Sequence, residues 1–436
     1  MGVKRVWSAT GVVALTGALL LTSAPTASAD YIRDKQWALV GFDAETVWAE
    51  SQGAGVTVAV VDTGVNGSHP DLTGQVLNGK DFSNGGTDPQ LDATGHGTHV
   101  ASLIAGHGHG ADGSAGVIGL APKAKILPVR AAHSGDNGYE EERWARGIRY
   151  AVDHGAKVIN LSFGTSSSPS SDTAKAVSYA QGKDVVVVAS AGNDGVEDIE
   201  YPARLPGVVA VGAIDESRKR WEDSNYGPGL TLMAPGANIV GADHTIPSGY
   251  SNGSGTSDAT AYVSAAAALV RSKFPDLTAG QVINRLVKSA TFLDHKAKKG
   301  VPDEEYGYGI IRPNKALRMD IPAGPKAGPL PQAPSSTSSS SSDGAPKGND
   351  EKSESPSEEG TSSGTLITIG AGVAAVVVLG IVIAVILNRR NRGGGGPTGS
   401  PGSVSSGLPT QNPSYSPYSP APTPHNPGNA NPYQQP

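Results

Sequence analysis

The sequence predicts a three-layer α/β domain with a mainly parallel central sheet, flanked by segments that do not belong to it. Two observations carry this. Val56–Val61, Val158–Leu161, Val185–Val188 and Val208–Val211 are near-continuous apolar, β-branched runs, the mark of strands covered on both faces. Helical segments separate them at His99–Ala105, Glu140–His154, Asp172–Gln181, Ala259–Lys273 and Ala279–Ser289. Such strand–helix alternation builds a sheet with helices on both sides. Functional residues are then expected beyond the carboxyl ends of the strands.

Composition agrees with one large domain plus tails. Gly 58 and Pro 32 make up about a fifth of the 436 residues, above ordinary usage, so part of the chain lies outside a packed core. A net charge of −6 argues against binding dominated by nucleic-acid phosphates. With Cys 0, disulfides, thiolate-held zinc, iron–sulfur clusters and a thiol nucleophile are all excluded.

In chain order, residues 1–29 read as a secretory signal peptide. Lys4 and Arg5 precede the apolar run Gly11–Leu21, and Ala27-Ser28-Ala29 offers small residues before a cut at Asp30. Residues 30–53 form an N-terminal extension. Only 32 residues, Asp30 to Val61, would remain ahead of Asp62, too few for a folded inhibitory prodomain plus the first strand, so the extension is expected to pack along the domain. The domain itself spans 54–320. Residues 321–364 are rich in Pro, Ser and Gly, as in Ser338–Ser342, and read as a disordered linker. Residues 365–387 are uncharged and apolar, long enough to cross a bilayer as a helix. Arg389, Arg390 and Arg392 follow, which puts the disordered tail 388–436 in the cytoplasm and the domain outside.

Four positions at element ends carry the chemistry. Asp62 closes the first strand in Val60-Val61-Asp62-Thr63-Gly64; alone it is equally a turn residue. His96 stands between glycines ahead of an apolar helix, whereas His99 falls within that helix and reads as structural. A metal pair of the two lacks the partner of an HExxH motif. Gly106–Gly110 reads as a mobile loop. Asn193 follows Ala191-Gly192 at a strand end and can turn its amide into a cleft. Ser257 opens an Ala-rich helix; by itself it reads as an N-cap, but Gly253 and Gly255 before it allow a close approach, and the positive end of a helix suits an oxyanion.

Together, Asp, His, Asn and Ser form the parts list for acyl transfer. The order and the motifs resemble the subtilisin-like (S8) serine peptidases: Val61-Asp62-Thr63-Gly64-Val65, His69-Pro70-Asp71-Leu72, His96-Gly97-Thr98-His99-Val100-Ala101, Gly119-Leu120-Ala121-Pro122, Ala191-Gly192-Asn193, Met233-Ala234-Pro235-Gly236 and Gly255-Thr256-Ser257. More narrowly, Ile32–Trp37 after the signal peptide, Tyr262-Val263-Ser264 and the C-terminal apolar segment resemble the mycosins, membrane-anchored subtilases of type VII secretion.

The resemblance implies a subtilisin-like fold and a serine endopeptidase with Ser257 as nucleophile, His96 as general base and Asp62 orienting it. Asn193 would supply the oxyanion hole, and Ser162-Phe163-Gly164 would pair with substrate backbone as an added strand. It further implies protein or peptide substrates, a type VII secretion membrane complex as partner, and a bacterial cell membrane as location. The alternative is a non-catalytic scaffold of such a complex; the intact Asp62, His96, Asn193 and Ser257 speak against it.

Departures are few. Ala261 and Tyr262 stand where many subtilases have Pro and His. Asp258, after the nucleophile, replaces a common apolar residue; it either stabilises the helix start or brings its charge near His96. Asp71 matches a calcium ligand of secreted subtilisins, but Gly113, aligned with a second ligand, has no side chain, so no cofactor is expected.

The topology gives a direct test. External protease acting on intact cells should shed a soluble fragment ending within Ala323–Gly364, while a tag placed after Arg392 stays protected; a tag accessible from outside would reverse the orientation.

Overall fold

Alternate residues of the first strand pack into different layers. In β1 (Thr57–Asp62) Val58 and Val60 face one core cluster, Ala59 and Val61 the other, and all four are fully buried. A strand buried on both faces has no polar alternation to show, which explains the continuous apolar run. The structure, a computed structural model, describes residues 27–83, 86–132, 141–292 and 300–332. The apolar segment 365–387, the tail 388–436 and most of the signal-peptide and linker segments lie outside the described residues. Two compact units, Met1–Ser340 and Ser341–Pro436, divide the chain, and all described residues belong to the first. Among them no helix is long and apolar enough to cross a membrane.

Three short helices come first: α1 (Ala27–Asp34), α2 (Trp37–Phe42) and α3 (Ala44–Glu50). After β1 follow β2 (Lys80–Asp81), α4 (His96–Ala105), the hairpin β3 (His107–His109) and β4 (Ala115–Ile118), and β5 (Lys125–Arg130). Next come α5 (Glu141–Asp153), β6 (Val158–Leu161), α6 (Ser171–Gly182), β7 (Val186–Ser190), β8 (Val209–Ile214) and β9 (Leu232–Pro235). A hairpin of β10 (Ile239–Ala242) and β11 (Tyr250–Gly253) precedes α7 (Thr256–Lys273), α8 (Ala279–Ser289) and α9 (Pro313–Arg318). The seven-stranded sheet has the order β2-β5-β1-β6-β7-β8-β9, and every pair in it is parallel.

Helices α4 and α7 are buried nearly all round, so they run through the core rather than along its surface. Their small residues permit this: the Ala259–Ala268 stretch of α7 packs against the sheet with Val58, Val186 and Val209 in one cluster. On the opposite face Trp144, Ile148, Ala176 and Ala180 cover Ala59, Ile159 and Val187.

Three expectations change. Gly106–Gly110 is an ordered edge of the β3–β4 pair rather than a mobile loop, because His109 reaches the buried Asp71. The helices expected from His99 and Ala259 begin three residues earlier, at His96 and Thr256. The expected linker start at 321 is also too early: Pro322 and Ala323 carbonyls accept from Asn284, the Gly324 carbonyl from Gln281, and Leu330 is buried.

The extension does pack along the domain. Gln36 exchanges two hydrogen bonds with the backbone of Ile118, Trp48 donates to the Leu120 carbonyl at 3.0 Å, and Trp37 to that of Ala237 at 3.2 Å. Phe42 meets Tyr262 edge to face, with ring centroids 5.3 Å apart. Tyr262, one of the departures from the family pattern, thus anchors the extension to α7. Phe42→Ala should destabilise the protein by about 3–5 kcal/mol, the usual cost of deleting a buried aromatic ring, seen as a lower thermal unfolding midpoint. Phe42→Leu should lose far less.

Candidate active site

β1, β6 and β7 are adjacent and parallel, so their carboxyl ends open on one edge of the sheet. Asp62 ends β1, Ser162-Phe163-Gly164 follows β6, and Ala191-Gly192-Asn193 follows β7. His96 is the first residue of α4 and Ser257 the second of α7.

His96 Nδ1 lies 2.7 Å from Asp62 Oδ1. Two glycines permit this approach. A Cβ on Gly97 would stand 2.0 Å from the Gly64 carbonyl oxygen, and Gly95 adopts a φ of 82° where its Cβ would meet Asp243 at 2.4 Å. Asp62 is 2% exposed; Oδ1 also accepts the Thr63 N–H at 2.7 Å, while Oδ2 is buried and has no hydrogen-bond partner among the described residues. Its negative charge is therefore poorly solvated and acts strongly on the imidazole.

Sequence reasoning missed Asp92. This buried carboxylate accepts from Gly95 N–H (3.0 Å) and Thr63 Oγ (2.8 Å) with one oxygen, and from Thr98 N–H (2.8 Å) and Oγ (2.7 Å) with the other. It caps the free N–H groups at the start of α4 and ties that start to the end of β1. The signal was an Asp just ahead of an apolar helix, in Asp92-Ala93-Thr94-Gly95-His96.

Ser257 is not the N-cap of α7. Gly255 holds that position in an extended conformation, so the serine side chain has no capping duty. Its hydroxyl donates to the Ser162 carbonyl at 3.1 Å, and the Ser162 hydroxyl donates to the Ser257 carbonyl at 3.1 Å. Behind Ser162, Asn160 Nδ2 donates to its Oγ at 2.8 Å, and Ser264 on α7 donates to Asn160 Oδ1 at 3.0 Å. Asn160 and Ser264, also missed from sequence, sit inside apolar runs that hide them. Phe163 faces the core against Trp144, centroids 4.3 Å apart, so its ring is turned away from the cleft.

Asn193 Oδ1 accepts both the N–H and the hydroxyl of Thr256, at 2.8 and 2.9 Å. This fixes the amide flip and leaves Nδ2 as a donor. Asn193, His96 and Ser257 line one cleft of about 340 Å³ together with His99, Asp243 and Asp258. Asp258 Oδ1 lies 3.1 Å from His99 Nε2, so its nearest imidazole is that of His99, not His96. No group of three or more potential metal ligands exists among the described residues.

The calcium position does not fit a hard cation. Asp71 is fully buried and spends Oδ1 on His109 Nδ1 (2.6 Å) and Oδ2 on the Val117 N–H (2.8 Å). The carbonyls of Gly113 and Gly116 accept from the Arg33 guanidinium at 3.0 and 3.2 Å. A positive side chain occupies the carbonyl oxygens a calcium ion would need.

An Asp–His pair, a serine at a helix start and an amide donor on one cleft define the site of a serine hydrolase. The subtilase family profile (peptidase S8) matches residues 53–309. The chain belongs to the subtilase family. It is 40% identical over 267 residues to Subtilisin Savinase of Lederbergia lenta, covering 61% of this chain and 92% of that protein. It is 39% identical to Subtilisin E of Bacillus subtilis, over 61% and 66% of the two chains. Among solved structures it is similar to MycP1 with the N-terminal propeptide removed (32% identity, TM-score 0.58, 66% and 99% coverage). It is also similar to the MycP3 protease from the type VII (ESX-3) secretion system (34%, 0.58, 65% and 88%).

The electrostatics of His96 set a pH dependence. Burial pulls its imidazole down, but the charge and hydrogen bond of Asp62, helped by Asp258 and Asp92, outweigh this and it is pushed up to about 9. The ring is 41% exposed, so water screens part of the effect. A general base must be neutral to take a proton, so with His96 in that role a raised value would move the acidic limb of kcat/KM upward. The midpoint of that limb should lie above the ordinary 6.5 and no higher than about 9. Asp258→Asn removes one anion and should move the limb to lower pH, more so at low ionic strength; unchanged profiles would leave Asp258 a partner of His99 alone.

Proposed function

We propose that this subtilisin-type serine peptidase cleaves proteins or peptides at the outer face of a membrane, through an acyl-enzyme formed on Ser257. The observation that carries the chemistry is the 2.7 Å contact of His96 with the buried Asp62 on the cleft that also holds Ser257 and Asn193. Before attack the Ser257 hydroxyl swings from the Ser162 carbonyl toward His96. His96 accepts its proton as Oγ attacks the scissile carbonyl carbon, and Asp62 stabilises the imidazolium. Negative charge on the carbonyl oxygen is met by Asn193 Nδ2 and the Ser257 N–H, which lies in the first turn of α7 and has no intrahelical partner. The imidazolium then protonates the leaving amine. Water, activated by His96, releases the acyl group by the reverse route. Substrate backbone lies along Ser162–Gly164 as an added strand.

Export and anchoring rest on the leader at 1–29, the uncharged 365–387 segment and the arginines behind it. A role beside a type VII secretion complex draws on the likeness to MycP3, described as a protease of such a system. Neither a calcium ion nor another cofactor enters the chemistry, and no nucleic acid is expected as partner.

A fluorophosphonate should label the full chain at Ser257, and Ser257→Ala should abolish both labelling and peptide hydrolysis while leaving the fold intact. Asn193→Ala should cost about 10²–10³ in kcat, the magnitude established for the corresponding donor of a subtilisin. A rise in KM with kcat unchanged would remove Asn193 from the oxyanion hole.

A further inference from the structure

Glu200 lies against Gly164 and Gly192, in the two segments that lead to the catalytic cleft, and nothing in the chemistry above uses it. Its backbone is stitched between the two segments that flank the scissile bond. The Glu200 N–H donates to the Ala191 carbonyl at 2.9 Å, and the next residue, Tyr201, exchanges two 2.9 Å hydrogen bonds with Thr165. The side chain fills the gap between those segments. A Cβ built on Gly164 would lie 2.2 Å from Glu200 Oε2, and one built on Gly192 would lie 2.9 Å from Glu200 Cδ. Both glycines therefore leave room for this carboxylate beside the backbone that precedes Asn193.

The carboxylate is half-buried, and among the described residues it has no hydrogen bond or ion pair. The nearby cation is engaged elsewhere: Arg204 pairs with Asp198 and lies over the Tyr201 ring. The other charge acting on Glu200 is the like charge of Asp194, which with burial holds the Glu200 carboxyl above its ordinary range. A half-buried, unpaired carboxylate is costly to keep. Its cost is offset if a cation arrives from outside.

The direction of arrival follows from the geometry. With the scissile carbonyl between Ser257 Oγ and Asn193 Nδ2, and the substrate backbone along Ser162–Gly164, the side chain on the acyl side of the bond enters between the 162–164 and 191–193 segments. Glu200 lies between those same segments.

Resting on the peptidase chemistry proposed above, we propose that Glu200 closes the primary specificity pocket and selects a lysine or arginine on the acyl side of the cleaved bond, with Asp194 adding negative charge at its edge. A long aliphatic stem can carry a cation along the bare backbone of Gly164 and Gly192 to the carboxylate that lies against both, and a guanidinium can engage both carboxylate oxygens.

The test is hydrolysis of fluorogenic peptides that differ only at that position, carrying Arg, Lys, Leu, Phe or Glu, by the full chain with active sites titrated by fluorophosphonate. Arg and Lys should exceed Leu and Phe in kcat/KM, and Glu should be the poorest. Glu200→Gln keeps the size and removes the charge. It should lower kcat/KM for Arg and Lys by about ten- to hundredfold, the range one charge-assisted hydrogen bond supplies, while hydrolysis of Leu and Phe peptides holds or rises. Asp194→Asn should act in the same direction but more weakly, because Asp194 is exposed. Labelled enzyme that prefers Leu or Phe, with Glu200→Gln lowering all substrates alike, would overturn the specificity assignment and leave the peptidase chemistry standing. Absence of labelling at Ser257 would overturn the peptidase chemistry, and the assignment with it.

Discussion

The site depends on one close approach, the start of α4 against the end of β1. Bare glycine backbone meets bare glycine backbone there, since a single carbon on Gly97 would run into the Gly64 carbonyl. Only at that separation does the imidazole of His96 reach the carboxylate of Asp62. The approach is held by the buried Asp92, whose two oxygens gather donors from both elements. A rigid core lies directly behind: α4 is buried along its length and packs on α7 within the same apolar cluster. Geometry at the base–carboxylate pair is thus inherited from the packing of two central helices.

A second polar chain links the nucleophile to the sheet. Ser264, two turns along α7 from Ser257, bonds through Asn160 in β6 to Ser162, which in turn bonds the serine's own backbone. Every member is buried except Ser257, which faces the cleft. Satisfied buried networks of this kind fix one arrangement, because any slip strands a polar group without water. The strand that would hold substrate and the helix that carries the nucleophile are therefore locked in register.

The legible parts of the sequence were those with strong periodicity or a spaced motif. β1, β6, β7 and β8 announce themselves as apolar runs because both faces are covered. β5 does not, since Pro128 interrupts it; the strand tolerates the proline opposite Val60 in a parallel ladder. The starts of α4 and α7 were hidden by Gly, Thr and Ser, which carry little hydrophobic signal while providing the turn that exposes His96 and Ser257. Asp62, His96, Asn193 and Ser257 were visible through order and spacing. Asp92, Asn160, Ser264 and Glu200 were not, because their meaning lies in partners distant in sequence. The β3–β4 pair looked like a glycine-rich loop until His109 found Asp71, a contact 38 residues away in sequence.

Arg33 gives the molecule a fastening of a different kind from a bound ion. A metal clip leaves at a rate set by its own affinity and returns at a rate set by its concentration outside. A guanidinium carried on the same chain has a fixed effective concentration that dilution and chelators do not touch. The integrity of the β3–β4 region is thereby tied to covalent continuity between α1 and the rest of the domain. A single nick between Lys35 and Gln52 would turn a permanent fastening into a dissociable one, and the durability of the fold would then be governed by what cuts its N-terminal extension, not by the ions around it.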